Sequence, residues 1–143
     1  MNYLKGLENE ILVKPILEKY FKLDLIHNDR YALFDFTDTN DNNYIELKCR
    51  NCYSYTYKDL MMNLNKWNEG YKYINFDKNV YYVFKFIDGL YYYQQNFTDN
   101  FEIREQYENF LEKSLDKKGL KGITSPKKYI YIPTNKLTKI NNN

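Results

Sequence analysis

Three charged residues in one short part of the chain have the types and spacing used in metal-dependent hydrolysis of a phosphodiester. Asp35 lies in the segment RYALFDFTD, and Glu46 and Lys48 follow two residues apart in NYIELKCR. Charged side chains in strand-forming segments this apolar cost free energy unless they are paired or bind something. These three residues are therefore the candidate site of the chain.

Strand geometry predicts that the three charges emerge together. Because successive side chains of a strand point to opposite faces, Asp35 lies opposite to Phe34 and Phe36, which share the other face. Glu46 and Lys48 share one face of the next strand by the same rule. If the two strands pair as a hairpin with their apolar faces aligned, all three charges emerge on one solvated face. A slip of one residue in register would separate Asp35 from Glu46.

Two carboxylates that converge on one face repel each other and raise each other's pKa unless a cation lies between them. Mg²⁺ suits that position, because it commonly combines one or two carboxylates with waters and substrate phosphate oxygens. Lys48 adds an ammonium group that orients an attacking water and offsets charge in the transition state. The other interpretation is an ordinary solvated strand face on which Glu46 and Lys48 form a weak surface ion pair.

Hydrophobic periodicity predicts the elements that position these residues. Residues 4–21 predict a helix that Pro15 kinks or divides near Lys14, because proline lacks an N–H and clashes with the preceding turn. Strands follow in KLDLIHN, RYALFDFTD and NYIELKCR, and DTNDNN forms the turn between the last two. The segment YTYKDLMMNLNKWNEGY predicts a second helix that begins at Thr56 and ends near Gly70.

The second half of the chain predicts a hairpin, a helix and a strand. Residues 79–95 combine two β-prone runs with an Asp-Gly turn. Residues 100–119 indicate a charged amphipathic helix, and KKYIYIP a closing strand whose Pro133 suits a sheet edge. With 143 residues, 43% of them apolar, the chain fits one α/β domain, residues 1–143, in the order α-β-β-β-α-β-β-α-β.

The motif and its surroundings resemble the PD-(D/E)xK nucleases, whose signature is an Asp at the end of one strand and Glu-x-Lys in the next. Here the signature is Asp35 and the ELK of Glu46, Leu47 and Lys48, with Phe34 in place of the family's usual Pro. The resemblance implies a restriction-endonuclease-like mixed β-sheet flanked by helices. It also implies Mg²⁺ or Mn²⁺ held by Asp35, Glu46 and the Leu47 carbonyl, and an endonuclease acting on DNA.

The segment KGLENEILVKPILEKYF is similar to the start of archaeal-type Holliday junction resolvases, where a Lys-Gly precedes a glutamate that completes the metal site. Glu10 is the matching position; if Pro15 breaks the helix, Glu8 or neither residue is in reach. This resemblance implies a DNA-recombination enzyme that acts as a homodimer, since resolving a four-way junction needs two symmetric cuts. A restriction- or repair-type endonuclease and a catalytically inactive nucleic-acid-binding module are the alternatives.

Lysines outside the motif are candidates for contacts with DNA phosphates. Lys58 and Lys66 lie on the predicted second helix, and Lys127 and Lys128 end a basic cluster that begins at Lys117. A solvated surface is the other interpretation of both sets. The tyrosines between residues 71 and 93 are interpreted mainly as core packing, although aromatic rings also stack on bases.

Composition limits the remaining function classes. The formal net charge of +2 argues neither for nor against a polyanionic partner. Without a signal-length or membrane-spanning apolar run, we expect an intracellular protein, cytoplasmic or associated with a nucleoid or virus factory. Cys49 and Cys52 form one C-x-x-C and are interpreted as reduced structural thiols, because a structural zinc site needs four ligands. His27, the only histidine, is interpreted as a surface or satisfied residue.

Overall fold

The structure, a computed structural model, describes residues 3–107 and 126–141. In this part of the chain, neither helix has the length and apolar character that a membrane span needs. In chain order the elements are α1 (Tyr3–Phe21), β1 (Leu25–His27), β2 (Phe36–Asp38), β3 (Asn43–Cys49), β4 (Asp59–Asn63), α2 (Leu64–Ile74), β5 (Asn79–Phe86), β6 (Gly89–Gln94), β7 (Glu102–Tyr107), β8 (Pro126–Pro133), a 3-10 turn (Thr134–Lys136) and β9 (Thr138–Ile140).

The strands form two sheets, and the larger one carries the candidate site. Its strand order is β1-β2-β3-β5-β6-β9, with β3 and β5 parallel and the other neighbours antiparallel. The smaller sheet is antiparallel in the order β4-β8-β7. The predicted mixed α/β class is therefore confirmed, as is the β5–β6 hairpin with its Asp-Gly turn.

Two apolar cores lie on opposite faces of the larger sheet. Val13 and Leu17 of α1 pack against one face, where they meet Ile45 and Leu47 of β3. On the other face, the core around Trp67 joins the sheet to α2 and the smaller sheet. The strand β3 is therefore covered on both sides, which explains its nearly continuous burial from residue 44 to residue 47.

Helix α1 is a single helix from Tyr3 to Phe21 with Pro15 inside it, so the predicted division near Lys14 is wrong. Pro15 removes one backbone hydrogen bond at a cost of about 3 kcal/mol. Val13 and Leu17, which are 1% and 0% exposed, anchor the helix on either side of the proline. Their burial offsets the cost, at roughly 1.5–3 kcal/mol per large apolar side chain.

The segment predicted as one helix from Thr56 is a strand followed by a helix. Buried and exposed side chains alternate along β4, with Leu60 and Met62 buried. Leu60, which fits a helical stripe, therefore fits a strand equally well. Asn63 then caps α2, because its side-chain oxygen accepts a 2.8 Å hydrogen bond from the N–H of Asn65. The helix continues past Gly70 to Ile74.

The end of the chain also differs from its predicted order. Residues 102–107 of the predicted charged helix form β7, because their backbone pairs with β8, and the side chains of residues 102–106 are exposed. Residues 108–119 of the predicted helix lie outside the described residues. β8 is the middle strand of its sheet, so the predicted edge position is wrong. Pro133 is tolerated there because it ends the strand, and the N–H of Thr134 donates to Lys58 O instead. β9 was not predicted.

Candidate active site

The register between β2 and β3 brings the two motif acids together. The strands are antiparallel and pair Phe36 with Ile45, so one further step places Asp35 opposite Glu46. The backbone N–H of Leu47 donates a 2.7 Å hydrogen bond to Asp35 Oδ2. The predicted register of Asp35 opposite Glu46 is thus present, although Asp35 itself precedes the first residue of β2.

The chain before β2 is not the long strand that the sequence predicts. Phe34 belongs to the Trp67 core and Phe36 to the α1 core, so these two residues do not share a face. Asn28 holds this part of the chain through two hydrogen bonds. Its N–H donates a 2.8 Å hydrogen bond to Asp35 O, and its side-chain amide donates a 3.0 Å hydrogen bond to Phe34 O. The chain therefore turns immediately before the site, and Asp35 is half-buried.

Glu46 is buried rather than exposed on a solvated face. It is 8% exposed and lies between Tyr44 and Lys48 on the face that packs on the Trp67 core. Glu46 Oε2 lies 3.4 Å from Lys48 Nζ and 3.3 Å from Lys66 Nζ. The interpretation of a weak surface ion pair is therefore wrong, and the predicted solvated face is wrong as well.

Burial, followed by the negative charge of Asp35, raises the pKa of Glu46 to about 7 against the opposing effect of Lys66 and Lys48. Burial also raises the pKa of Asp35, with the Leu47 amide opposing and the charge of Glu10 adding to the increase. The side-chain hydrogen bond between the two acids favours the proton on Glu46 below about pH 7 and lowers the pKa of Asp35. Two acids so placed favour a cation near them when both ionise.

Glu10 reaches the site from α1, and Glu8 is exposed. Glu10 Oε1 lies 2.9 Å from His27 Nε2, which makes His27 a partner of the site. Both residues line a cleft of about 640 Å³ that also includes Asp35. The glutamate that the resemblance implied is therefore in this cleft.

The donors fit a magnesium ion that keeps several waters. Within residues 3–107 and 126–141, no three His, Cys, Asp or Glu side chains form a metal-binding group by themselves. Asp35 and Glu46 supply two carboxylates, and the Leu47 carbonyl points to the same side of β3 as the N–H that bonds Asp35. One or two carboxylates with waters and substrate oxygens are the set that Mg²⁺ commonly takes.

The four lysines predicted to contact DNA lie in different settings. Lys66 lies on α2 and points into the site, where it contacts Glu46 and donates a hydrogen bond to the Leu33 carbonyl. Lys58 is exposed before β4 and not on a helix. Lys127 and Lys128 are exposed on β8, opposite Gln106 and Glu105 of β7; the rest of their predicted cluster lies outside the described residues.

Sequence reasoning missed the roles of His27, Lys66 and Asn28. The signal for Lys66 is its position three residues after Asn63, the N-cap of α2, whereas the sequence predicts a helix that begins at Thr56. Cys49 and Cys52 are free thiols, and burial raises the pKa of Cys49, which disfavours its reactive thiolate.

Comparison with known proteins found no matching family model, curated protein or solved structure.

Proposed function

We propose that this protein is a metal-dependent endonuclease that hydrolyses phosphodiester bonds of DNA. The observation that carries the proposal is the convergence of Asp35 and Glu46 across the β2–β3 register, with Lys48 Nζ 3.4 Å from Glu46. A second lysine and a cleft reached by Glu10 complete a site for a cation and a phosphate.

Asp35, Glu46 and the Leu47 carbonyl would hold Mg²⁺ or Mn²⁺, and Glu10 would assist from α1. When bound, the metal would lower the pKa of a coordinated water and would place positive charge beside the phosphate. Lys48 orients the attacking water and stabilises the charge that develops on the phosphate oxygens. The oxygen of the water bonds to phosphorus as the bond from phosphorus to one sugar oxygen breaks. The water releases a proton to solvent, and the departing oxygen takes one up.

The fold supports a restriction-endonuclease-like core. Helix α1 is followed by the antiparallel β1–β2–β3 meander, and α2 lies in the crossover to the parallel strand β5. This order matches the predicted order α-β-β-β-α-β-β-α-β only in part. The strands β4 and β7 depart from it, and they belong to the smaller sheet on the side away from α1.

Branched DNA is the substrate we propose first, because Glu10 of the KGLENE segment reaches the site. Such an enzyme would work as a homodimer to cut a four-way junction twice. A restriction- or repair-type endonuclease would use the same residues on linear duplex. Incubation of the purified protein and Mg²⁺ with a four-way junction, linear duplex and single-stranded DNA separates these substrates; a strictly monomeric protein argues against the resolvase.

The test of the proposed chemistry is Lys48→Ala. We expect loss of cleavage with nearly unchanged DNA binding, because Lys48 acts on the water and the developing charge. Lys72→Ala is the matched control, since Lys72 also pairs with a glutamate, at 2.7 Å from Glu69, but on an exposed face of α2. Wild-type cleavage by the Lys48→Ala protein would remove this residue from the mechanism.

A nucleic-acid-binding module without catalysis is the second candidate function. The observation that favours it is that Glu46 already pairs with two lysines of the chain, Lys48 and Lys66. Two results together would support it. They are the absence of metal-dependent cleavage on every substrate, and calorimetric Mg²⁺ or Mn²⁺ binding that is either undetectable or unchanged by Asp35→Ala.

A further inference from the structure

Three tyrosines between β3 and β4 are exposed to solvent. Tyr53, Tyr55 and Tyr57 are 44%, 76% and 62% exposed, and the rings of Tyr53 and Tyr55 stack with centroids 5.3 Å apart. Aromatic rings usually contribute by burial in cores and interfaces. By contrast, Tyr82 and Tyr93 lie in the Trp67 core. The exposed set therefore presents ring surface that the two apolar cores of the chain do not use.

A cleft opens beside Tyr57, which is one of its lining residues. Its volume is about 390 Å³, within the range of roughly 300–1,000 Å³ typical of small-ligand sites. Its walls are apolar or aromatic apart from Arg50 and Asp59. The remaining lining residues are Cys52, Tyr57, Leu60, Met61 and Tyr131.

The charges around the cleft favour an anionic occupant. Among the described residues, no carboxylate lies within 4 Å of the side-chain nitrogens of Arg50 or Lys58, and Arg50 Nη1 donates 3.1 Å to the carbonyl of Cys49. Asp59 is engaged instead by Arg104, at 3.6 Å. Arg50 lines the aromatic cleft, and Lys58 lies in sequence between the lining residues Tyr57 and Asp59. An aromatic cleft with these two cations matches a polyanion that carries planar rings. A purely apolar peptide would leave both cations unmatched.

The cleft lies next to the end of β3 that carries the Glu46 and Lys48 side chains. Arg50 follows Lys48 by two residues, and its N–H donates a 2.9 Å hydrogen bond to Lys85 O of β5, so the strand geometry continues to Arg50. Strand alternation therefore puts the Lys48 and Arg50 side chains on one face of the sheet, about 7 Å apart along the strand. Leu60, in the cleft wall, belongs to the core that the Glu46 face packs against.

We propose that this cleft binds an unpaired nucleobase next to the phosphate that the site cleaves. Tyr57 provides the ring on which the base stacks, the Tyr53–Tyr55 pair extends the platform, and Arg50 and Lys58 bind the backbone. A base inside a duplex stack cannot enter such a pocket unless it is extruded. The inference rests on the proposed nuclease function for its location, and it names the substrate class as nucleic acid with unpaired nucleotides, such as gaps, flaps and branch points.

Binding without cleavage tests the pocket separately from the chemistry. Fluorescence anisotropy in EDTA compares a labelled duplex that contains a short single-stranded gap with the same duplex sealed. We expect tighter binding of the gapped duplex. Tyr57→Ala should weaken that binding about 5- to 140-fold, from a stacking contribution of about 1–3 kcal/mol per base. Tyr57→Phe, which keeps the ring, should bind like the wild type.

Phe76→Ala is the matched control, because Phe76 is as exposed as Tyr55, at 76%, and does not line the cleft. Thermal unfolding of each variant checks that the fold is intact. The proposed base-binding role of the cleft would be wrong if the wild type bound gapped and sealed duplex with equal affinity. It would also be wrong if Tyr57→Ala and Phe76→Ala bound the gapped duplex with equal affinity. Tyr57-dependent binding without cleavage in Mg²⁺ would support the pocket and refute the nuclease. Cleavage in Mg²⁺ without a preference for the gapped duplex would support the nuclease and refute the pocket.

Discussion

The N–H of Leu47 donates a 2.7 Å hydrogen bond to the carboxylate of Asp35, which joins the chain before β2 to the middle of β3. The carbonyl of the same strand residue faces the same side. Leu47 therefore fixes one acid through its N–H and offers an oxygen beside that acid. Its own side chain is buried in the α1 core, so the backbone that serves the site is anchored by apolar packing.

Stability should fall as pH rises because of Glu46. Its folded pKa of about 7 lies above the ordinary value of 4.5, so the folded state holds the proton more tightly than the unfolded state. The stabilising contribution is complete below about pH 4.5 and is lost as pH rises toward 7, by on the order of 3 kcal/mol. Urea unfolding at pH values from 5 to 8 measures this change.

Glu46→Gln is the diagnostic variant for that pH dependence. It should flatten the profile and unfold at higher urea than the wild type at pH 8, because no buried charge then repels Asp35. A mutant profile parallel to that of the wild type would show that another group titrates.

The fold was predictable where a pattern had one structural solution. Helix α1 and strands β1 and β3 follow from periodicity, and the Asp-Gly turn fixes the β5–β6 hairpin. The sequence around Leu60 and Met62 fits two structures, because Leu60 belongs both to a helical stripe and to the alternation of a strand. Only Asn63, which caps α2, marks where the strand ends and the helix begins. β7 could not be predicted, since its exposed side chains carry no burial pattern and its pairing partner is distant in sequence.

Lys66 and Lys48 should differ in what their loss costs. The Lys66 side chain is 18% exposed, against 29% for Lys48, and it also bonds the Leu33 carbonyl. Lys66→Met should therefore lower the free energy of unfolding at pH 8 by about 1–3 kcal/mol. Lys48→Met should cost less stability but lose cleavage. Chemical denaturation and a cleavage assay on both proteins distinguish the roles; equal stability losses would contradict the difference.

Divalent metal should stabilise the protein through Asp35. A ligand at 100 times its dissociation constant adds about 2.7 kcal/mol to the folded state. Thermal unfolding with and without Mg²⁺ or Mn²⁺ should show this shift in the wild type and lose it in Asp35→Asn. Glu69→Gln, which changes an acid exposed on α2, should keep the shift. A metal-dependent shift that survives in Asp35→Asn would place the ion elsewhere.

His27 should support metal binding by holding Glu10. Its Nε2 lies 2.9 Å from Glu10 Oε1, and its ring contacts Phe36. Loss of such a supporting partner typically weakens metal affinity 10- to 100-fold. We expect His27→Ala to raise the Mg²⁺ concentration for half-maximal cleavage by that factor, with little effect at saturating metal. His27→Gln, which can still reach Glu10, should be milder; identical metal dependence in all three proteins would exclude this role.

The candidate site was predictable to the extent that it lies within one hairpin. Asp35, Glu46 and Lys48 come together through strand alternation and a short turn, both readable in sequence. Burial of Glu46 was not readable, because the residues that cover its face come from α2 and the smaller sheet. The same holds for Lys66 and His27, which reach the acids through tertiary packing.

The crossover between β3 and β5 affects the order in which the site assembles during folding. Asp35 and Leu47 are 12 residues apart, whereas Lys66 and Leu33 are 33 apart and Asn43 and Asn79 are 36 apart. Short loops close at lower entropic cost, so we expect the hairpin with both acids to form before α2 brings Lys66. The early hairpin then carries acid repulsion that Lys66 has not yet relieved. We expect stopped-flow refolding to slow as pH rises through the ionisation of Glu46.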